Sequence, residues 1–133
     1  MSYIAVYLAV AVPFVVIDAI WLKLMSKRLY LATMGDIARS KPNLWPAIIF
    51  YFLYPIGLIS LAVMPAHAAA SGSKAAVLGL LFGLFTYATY DLTNQAILRN
   101  WTLTLSVVDI AWGSLLGAVS AYSGYLAAHL LIA

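Results

Sequence analysis

The chain has 133 residues, of which 65% are hydrophobic and 8% are charged, and its formal net charge at neutral pH is +3. A water-soluble domain carries about 25% charged residues, so this composition excludes an ordinary soluble protein and predicts an integral membrane protein. Cysteine is absent, which excludes disulfides and thiolate metal sites. The small positive excess gives no indication of nucleic-acid binding, and we expect no such partner.

Four apolar runs are long enough to cross the hydrocarbon core of a bilayer, which takes about 20 helical residues. They cover residues 3–22, 45–64, 75–98 and 103–130. Backbone groups in lipid must be hydrogen-bonded within their own segment, and no barrel-like alternation is present, so these runs are predicted to be helices. We therefore predict an all-α, four-transmembrane-helix bundle that forms one domain over residues 1–133. Pro13, Pro55 and Pro65 are expected to kink or end helices locally.

The basic residues indicate the orientation of this bundle. Lys23, Lys27, Arg28, Arg39 and Lys41 follow the first run and Arg99 precedes the fourth, whereas the connection between the second and third runs holds only Lys74. By the positive-inside rule, the side with six basic residues is cytoplasmic and both termini lie outside. Because the basic cluster follows the first run, we expect that run to remain a span and not to be cleaved as a signal peptide.

Residues 25–44, between the first two spans, combine basic and apolar side chains. Tyr30, Met34, Ile37 and Ala38 recur there at helical spacing. This pattern predicts a short amphipathic helix in the plane of the lipid headgroups. Each basic residue of the segment would gain about 1 kcal/mol near an anionic leaflet, so membrane lipids are expected partners.

Three of the four acidic residues, Asp18, Asp91 and Asp109, lie inside predicted spans. With about 1.5 Å of rise per residue, all three fall in the cytoplasmic half of the membrane. A carboxylate on a single helix in lipid costs about 2.5 to 3.5 kcal/mol, so these side chains must face the bundle interior and find partners. If they crowd together, desolvation and repulsion favour a proton shared among them.

Two of these aspartates stand three residues before a tryptophan, in VIDAIW at 16–21 and VVDIAW at 107–112. The first and fourth helices run in opposite directions. Trp21 is therefore predicted on the cytoplasmic side of Asp18, and Trp112 on the outer side of Asp109. On this prediction the two aspartates share a level in the membrane and the two tryptophans do not.

The third predicted helix has the best-organised polar face. Gly83, Tyr87, Asp91, Asn94 and Gln95 fall within about 120° on a helical wheel, which places Asp91 at the centre of the predicted chamber. We expect hydrogen-bond donors to the aspartates among Tyr51, Tyr54, Tyr87, Asn94, Gln95, Trp21, Trp112 and Arg99. The alternatives are that the aspartates only tie helices together, that Trp21 and Trp112 only pack, and that Arg99 is an interfacial anchor.

Other features favour structural roles. Glycines four residues apart, at 79 and 83 and at 113 and 117, fit the close packing of membrane helices. Trp45 and Trp101 are predicted interface anchors. His67 and His129 lie near the outer ends, far from the aspartates, so no metal site or cofactor is predicted, although an all-carboxylate site for a hard cation stays open.

Five segments together resemble a known family: DAIWL at 18–22, NLWPA at 43–47, FYFLY at 50–54, YATYDLTN at 87–94 and VDIAWG at 108–113. They are similar to the bacterial membrane-protein family known as domain of unknown function 2177, and the resemblance covers nearly the whole chain. It implies a small, four-helix, multi-pass protein of the bacterial inner membrane; the basic residues place its termini in the periplasm. It brings no established activity, cofactor or catalytic residue.

Three functions remain open at this point. The preferred hypothesis is binding or proton-coupled transport of a small or lipophilic ligand at a cytoplasm-facing aspartate and tyrosine site, similar in plan to the dimeric small multidrug resistance transporters. A homodimer would then be expected. The alternatives are an intramembrane lipid-modifying enzyme that uses two aspartates as acid and base, and a non-catalytic accessory subunit.

Overall fold

Four helices make up the bundle. The structure is a computed structural model that describes residues 1–133 and contains no strands. The helices, each long and apolar enough to cross a membrane, are α1 Ser2–Ile37, α2 Leu44–Ala68, α3 Gly72–Ile97 and α4 Leu103–Leu131. The predicted all-α, four-helix membrane fold is therefore confirmed, and the chain is a multi-pass membrane protein.

Three of these helices begin at a side-chain cap. The side chain of Asn43 accepts a hydrogen bond from the Trp45 amide at the start of α2, and Ser71 does the same for Lys74 at the start of α3. Thr102 caps α4 through the amide of Leu105. Each cap satisfies one of the backbone N–H groups that the first helical turn leaves free. The helix starts are thus set by single polar residues at the ends of apolar runs.

Helix α1 continues well beyond the predicted span. After Met25 it passes through a π-helical turn, Ser26–Tyr30, a short α-helix, Leu31–Met34, and a 3₁₀ turn, Gly35–Ile37. The expected amphipathic segment, residues 25–44, is therefore helical only as far as Ile37, and this part is the end of α1 and not a separate helix. No proline or glycine interrupts the chain between Pro13 and Gly35, whose φ of 57° ends the regular helix.

The prolines do not end any helix. Pro13 lies inside α1, and Pro55 lies inside the α-helical part of α2. A π-helical turn, Ile59–Val63, directly precedes the turn that contains Pro65. Because proline lacks an N–H and crowds the preceding turn, a locally wider helix accommodates it without a break.

Helix α4 is the centre of the bundle and packs against both α3 and α1. Its face towards α3 is built from glycine: a side chain at Gly83 would collide with the carbonyl oxygen of Gly113, and one at Gly79 with that of Gly117. The backbones of α3 and α4 therefore touch, as the glycine spacing predicts. On the other side, Val10 of α1 packs over Gly124.

We expect Gly117→Leu to destabilise the protein by about 1–3 kcal/mol, because the leucine side chain would have to occupy the space of the Gly79 carbonyl group. The matched control is Ala111→Leu, which adds a similar volume to an exposed position of the same helix. Unfolding titrations in detergent micelles measure both variants. Equal stability of the two would contradict the close packing of α3 on α4.

Candidate functional site

Asp18 on α1 is buried, with 5% of its surface exposed, and joins three helices. One carboxylate oxygen accepts a hydrogen bond of 2.5 Å from the Tyr51 hydroxyl on α2. The other accepts one of 3.1 Å from the indole Nε1 of Trp112 on α4. Both donors are neutral, so the carboxylate is solvated by hydrogen bonds without being neutralised by a cation.

Asp109 on α4 is held in a similar way, with 3% of its surface exposed. It accepts a hydrogen bond from the hydroxyl of Tyr30, which lies on the extension of α1. The Tyr30 oxygen in turn accepts a hydrogen bond of 2.9 Å from the indole Nε1 of Trp21. The carboxylate of α4 is thus bound to α1, while that of α1 is bound to α4.

The tryptophan of each Asp-x-x-Trp segment therefore takes part in the hydrogen bonding of the other segment's aspartate. Trp112 donates directly to Asp18, and Trp21 supports Asp109 through Tyr30. The indole rings of Trp21 and Trp112 stack with centroids 4.3 Å apart and planes within 6°. The prediction that these tryptophans lie at different levels was wrong: in two antiparallel helices, motifs centred on each other bring the rings together.

Beside these carboxylates lies a cavity of about 490 Å³. It is in the half of the bundle that ends in the basic connections 38–43 and 98–102. Its wall contains two carboxylates and five tyrosines, and no lysine, arginine or histidine. The lining residues are Asp18, Leu22, Ser26, Tyr30, Leu31, Met34, Phe50, Tyr51, Tyr54, Thr86, Tyr87, Tyr90 and Asp109.

The aromatic wall is rigidly packed. The ring of Tyr54 stacks on that of Phe14 at 4.7 Å, and its hydroxyl lies 3.0 Å from that of Thr86 on α3. The ring of Tyr87 covers Gly113 of α4, where a larger residue would displace it. Packing thus fixes two tyrosines that present ring and hydroxyl surface to the cavity.

The structure separates the predicted site residues into three groups. Asp18, Asp109, Tyr51, Tyr54 and Tyr87 line the cavity. Trp21 and Trp112 do not line it but donate hydrogen bonds in the network around the carboxylates. The remaining four predicted residues lie outside the cavity wall: Asp91, Asn94, Gln95 and Arg99.

The prediction that Asp91 is the centre of the chamber was wrong. Asp91 is wholly buried, and its main-chain carbonyl accepts a hydrogen bond of 3.4 Å from Ser106 of α4. The helical wheel places Tyr87 and Asp91 on one face, but the glycine contacts press this face against α4. The larger ring of Tyr87 reaches past the contact into the cavity, whereas Asp91 stays between the helices.

Arg99 lines a second pocket of about 430 Å³ at the turn between α3 and α4, together with the end of α1 around Asp36. Trp101 belongs to the same turn and is not an interface anchor, because only 8% of it is exposed and its Nε1 donates to Ser106 Oγ at 3.0 Å. The other predicted anchor, Trp45, is 73% exposed at the start of α2.

Tyr30 binds Asp109, a role that its position in the sequence did not predict. On an α-helical wheel of about 100° per residue, position 30 falls on the opposite side from Trp21. The π-helical turn Ser26–Tyr30 changes this phase and turns the hydroxyl to Asp109. The available signal was the absence of a helix-stopping residue before Gly35. Phe50, Thr86 and Tyr90 also line the cavity without having been predicted.

The fold and the carboxylate network define a multi-pass membrane protein with an intramembrane acidic and aromatic cavity. The chain belongs to the family described as "Predicted membrane protein (DUF2177)", whose model matches residues 3–126. This membership confirms the resemblance inferred from the five sequence segments. No curated protein and no solved structure matches the chain.

We expect Tyr30→Phe to lower the free energy of unfolding by about 1–3 kcal/mol, because it leaves the buried Asp109 carboxylate without its phenolic donor and Trp21 without its acceptor. Tyr90→Phe is the control, since its hydroxyl also lies at the cavity but makes no hydrogen bond with the protein. Chemical unfolding in micelles compares the two. A Tyr30→Phe variant as stable as Tyr90→Phe would contradict the bond from α1 to Asp109.

Proposed function

We propose that this protein binds a lipophilic cation in the intramembrane cavity and exchanges it for protons. The observation that carries the proposal is the charge of the cavity wall: Asp18 and Asp109 line it, and no basic side chain does. A cation in this cavity would supply the charge compensation that the protein itself does not provide.

The hydrogen-bond partners of the carboxylates support this assignment. Tyrosine and tryptophan donors hold Asp18 and Asp109 in place but leave their negative charge intact. Interactions between charges are stronger in a low-dielectric environment than in water. A bound cation next to either carboxylate is therefore favoured over a neutral or anionic molecule of the same shape.

The aromatic and aliphatic wall supports the lipophilic part of the proposal. Phe50, Tyr54 and Tyr87 present ring surface, which attracts cations as well as apolar groups. The volume of about 490 Å³ lies within the roughly 300–1,000 Å³ of typical small-molecule sites. An organic cation with an alkyl or aryl portion satisfies both the charge and the apolar wall.

The membrane setting follows from the same features. We place the cavity on the cytoplasmic side of a bacterial inner membrane with both termini in the periplasm, because six of the seven basic residues lie at this end of the bundle. Transport would require access from the other side as well, and we propose that a homodimer provides it. Cysteine accessibility at positions 39 and 74 in intact cells tests the orientation.

Three ligands with the same ten-carbon tail test the preference for a cation: decyltrimethylammonium, decanol and decanoate. With the protein in nanodiscs and empty nanodiscs as the background, we expect saturable binding of the cation at one site per chain, at least tenfold tighter than either analogue. Tenfold corresponds to about 1.4 kcal/mol. Equal binding of decanoate would contradict the proposal.

Variants connect this binding to the cavity. We expect Asp18→Asn to weaken decyltrimethylammonium binding at least tenfold, because it removes one of the two charges while preserving the size of the side chain. Asp36→Asn is the matched control, since Asp36 is exposed and lies outside this cavity. Loss of binding in both variants, or in neither, would show that the cation does not occupy the cavity.

A further inference from the structure

Asp91 is a buried carboxylate without a hydrogen-bond donor. None of its surface is exposed, and neither carboxylate oxygen meets a donor from the protein. The hydroxyl of Ser106 reaches only its main-chain carbonyl. One helical turn further on, the side-chain oxygen of Gln95 is likewise buried without a donor. The buried side of α3 therefore carries side-chain acceptor oxygens to which no protein group donates a hydrogen bond.

Ser106 of α4 reaches the main chain of Asp91, and Asp109 lies three residues further along α4, on the same face of that helix. The Asp109 side chain is also buried, so its carboxyl group lies next to that of Asp91 across the α3–α4 interface. Two ionised carboxylates in contact, away from water and without a cation, would be strongly unfavourable. The other titratable side chains around the pair add no positive charge. They are Asp18 and Tyr30 from α1, Tyr51 and Tyr54 from α2, and Tyr87 and Tyr90 from α3.

We propose that Asp91 and Asp109 share one proton, which the Asp91 carboxyl group donates to the Asp109 carboxylate. This assignment gives Asp91 a partner, removes one of the two adjacent charges and leaves Asp109 able to accept the hydrogen bond from Tyr30. A metal ion fits less well, because hard cations take six or more oxygen ligands, and no group of three or more acidic or histidine side chains converges here.

Asp109 connects this proton site to the cavity. It lines the cavity and accepts the hydrogen bond from Tyr30, and it lies on the face of α4 that packs against Asp91. A cation that enters the cavity beside Asp109 favours full ionisation of the pair, so the shared proton leaves to water as the cation binds. This consequence, which rests on the proposed function, makes Asp91 and Asp109 the coupling site for proton exchange.

Infrared spectroscopy tests the shared proton without any ligand. In membranes at neutral pH we expect the carbonyl band of a protonated carboxylic acid, shifted by deuterium exchange and absent in Asp91→Asn. The side-chain amide introduced by this substitution can donate to Asp109 in place of the proton, so the variant should fold. The control Asp18→Asn should keep the band. Its absence from the wild type, or its persistence in Asp91→Asn, would overturn the proposal.

A second measurement tests the coupling. In weakly buffered solution with a pH indicator, decyltrimethylammonium binding should release about one proton per bound cation from the wild type and none from Asp91→Asn, which should still bind. Cation binding without proton release from the wild type would overturn the coupling. Failure of the wild type to bind the cation would refute the proposed function. The infrared band would still show whether Asp91 and Asp109 share a proton, because that test uses no ligand.

Discussion

The cost of placing a carboxylate in lipid is the constraint on which this structure depends. Each intramembrane aspartate has to be buried between helices and hydrogen-bonded there, and neutral donors provide most of this solvation. Asp18 accepts hydrogen bonds from Tyr51 and Trp112, and Asp109 accepts one from Tyr30. Because the donors come from other helices, the same bonds that solvate the charges also join α1, α2 and α4. Satisfying the carboxylates and assembling this part of the bundle are therefore one requirement.

Packing between α3 and α4 supplies a second, independent constraint. The contacts of Gly79 with Gly117 and of Gly83 with Gly113 bring the two backbones together and fix their register. That register places Asp91 against α4, beside Asp109, and leaves the ring of Tyr87 at the cavity. Asp91 and Asp109 thus meet because of glycine packing, whereas Asp109 and α1 meet through hydrogen bonds. One carboxylate takes part in both arrangements, which gives a physical route between the buried pair and the cavity.

Much of the fold could be predicted from the sequence, because hydropathy and the length of a membrane span decide where helices lie. The inward direction of the aspartates also follows from their cost in lipid. The identities of their partners did not follow. Tyr30 is brought to Asp109 by a π-helical turn, which a helical wheel with a constant α-helical angle does not include. The stacking of Trp21 on Trp112 depends on the relative position of α1 and α4 along their axes. Trp101 looked like an interface residue because Ser106, its buried acceptor, cannot be identified before the turn is folded.

The two Asp-x-x-Trp segments face each other with their indole rings in contact, and the rest of the carboxylate network follows from this arrangement. Circular dichroism in the far ultraviolet measures this contact, because the intense transitions of stacked indoles 4.3 Å apart couple and those of distant indoles do not. The wild type should show a coupled tryptophan signal that disappears in Trp21→Phe and in Trp112→Phe, and that persists in Trp45→Phe and Trp101→Phe. A wild-type spectrum equal to the sum of four independent tryptophans would contradict the crossed arrangement.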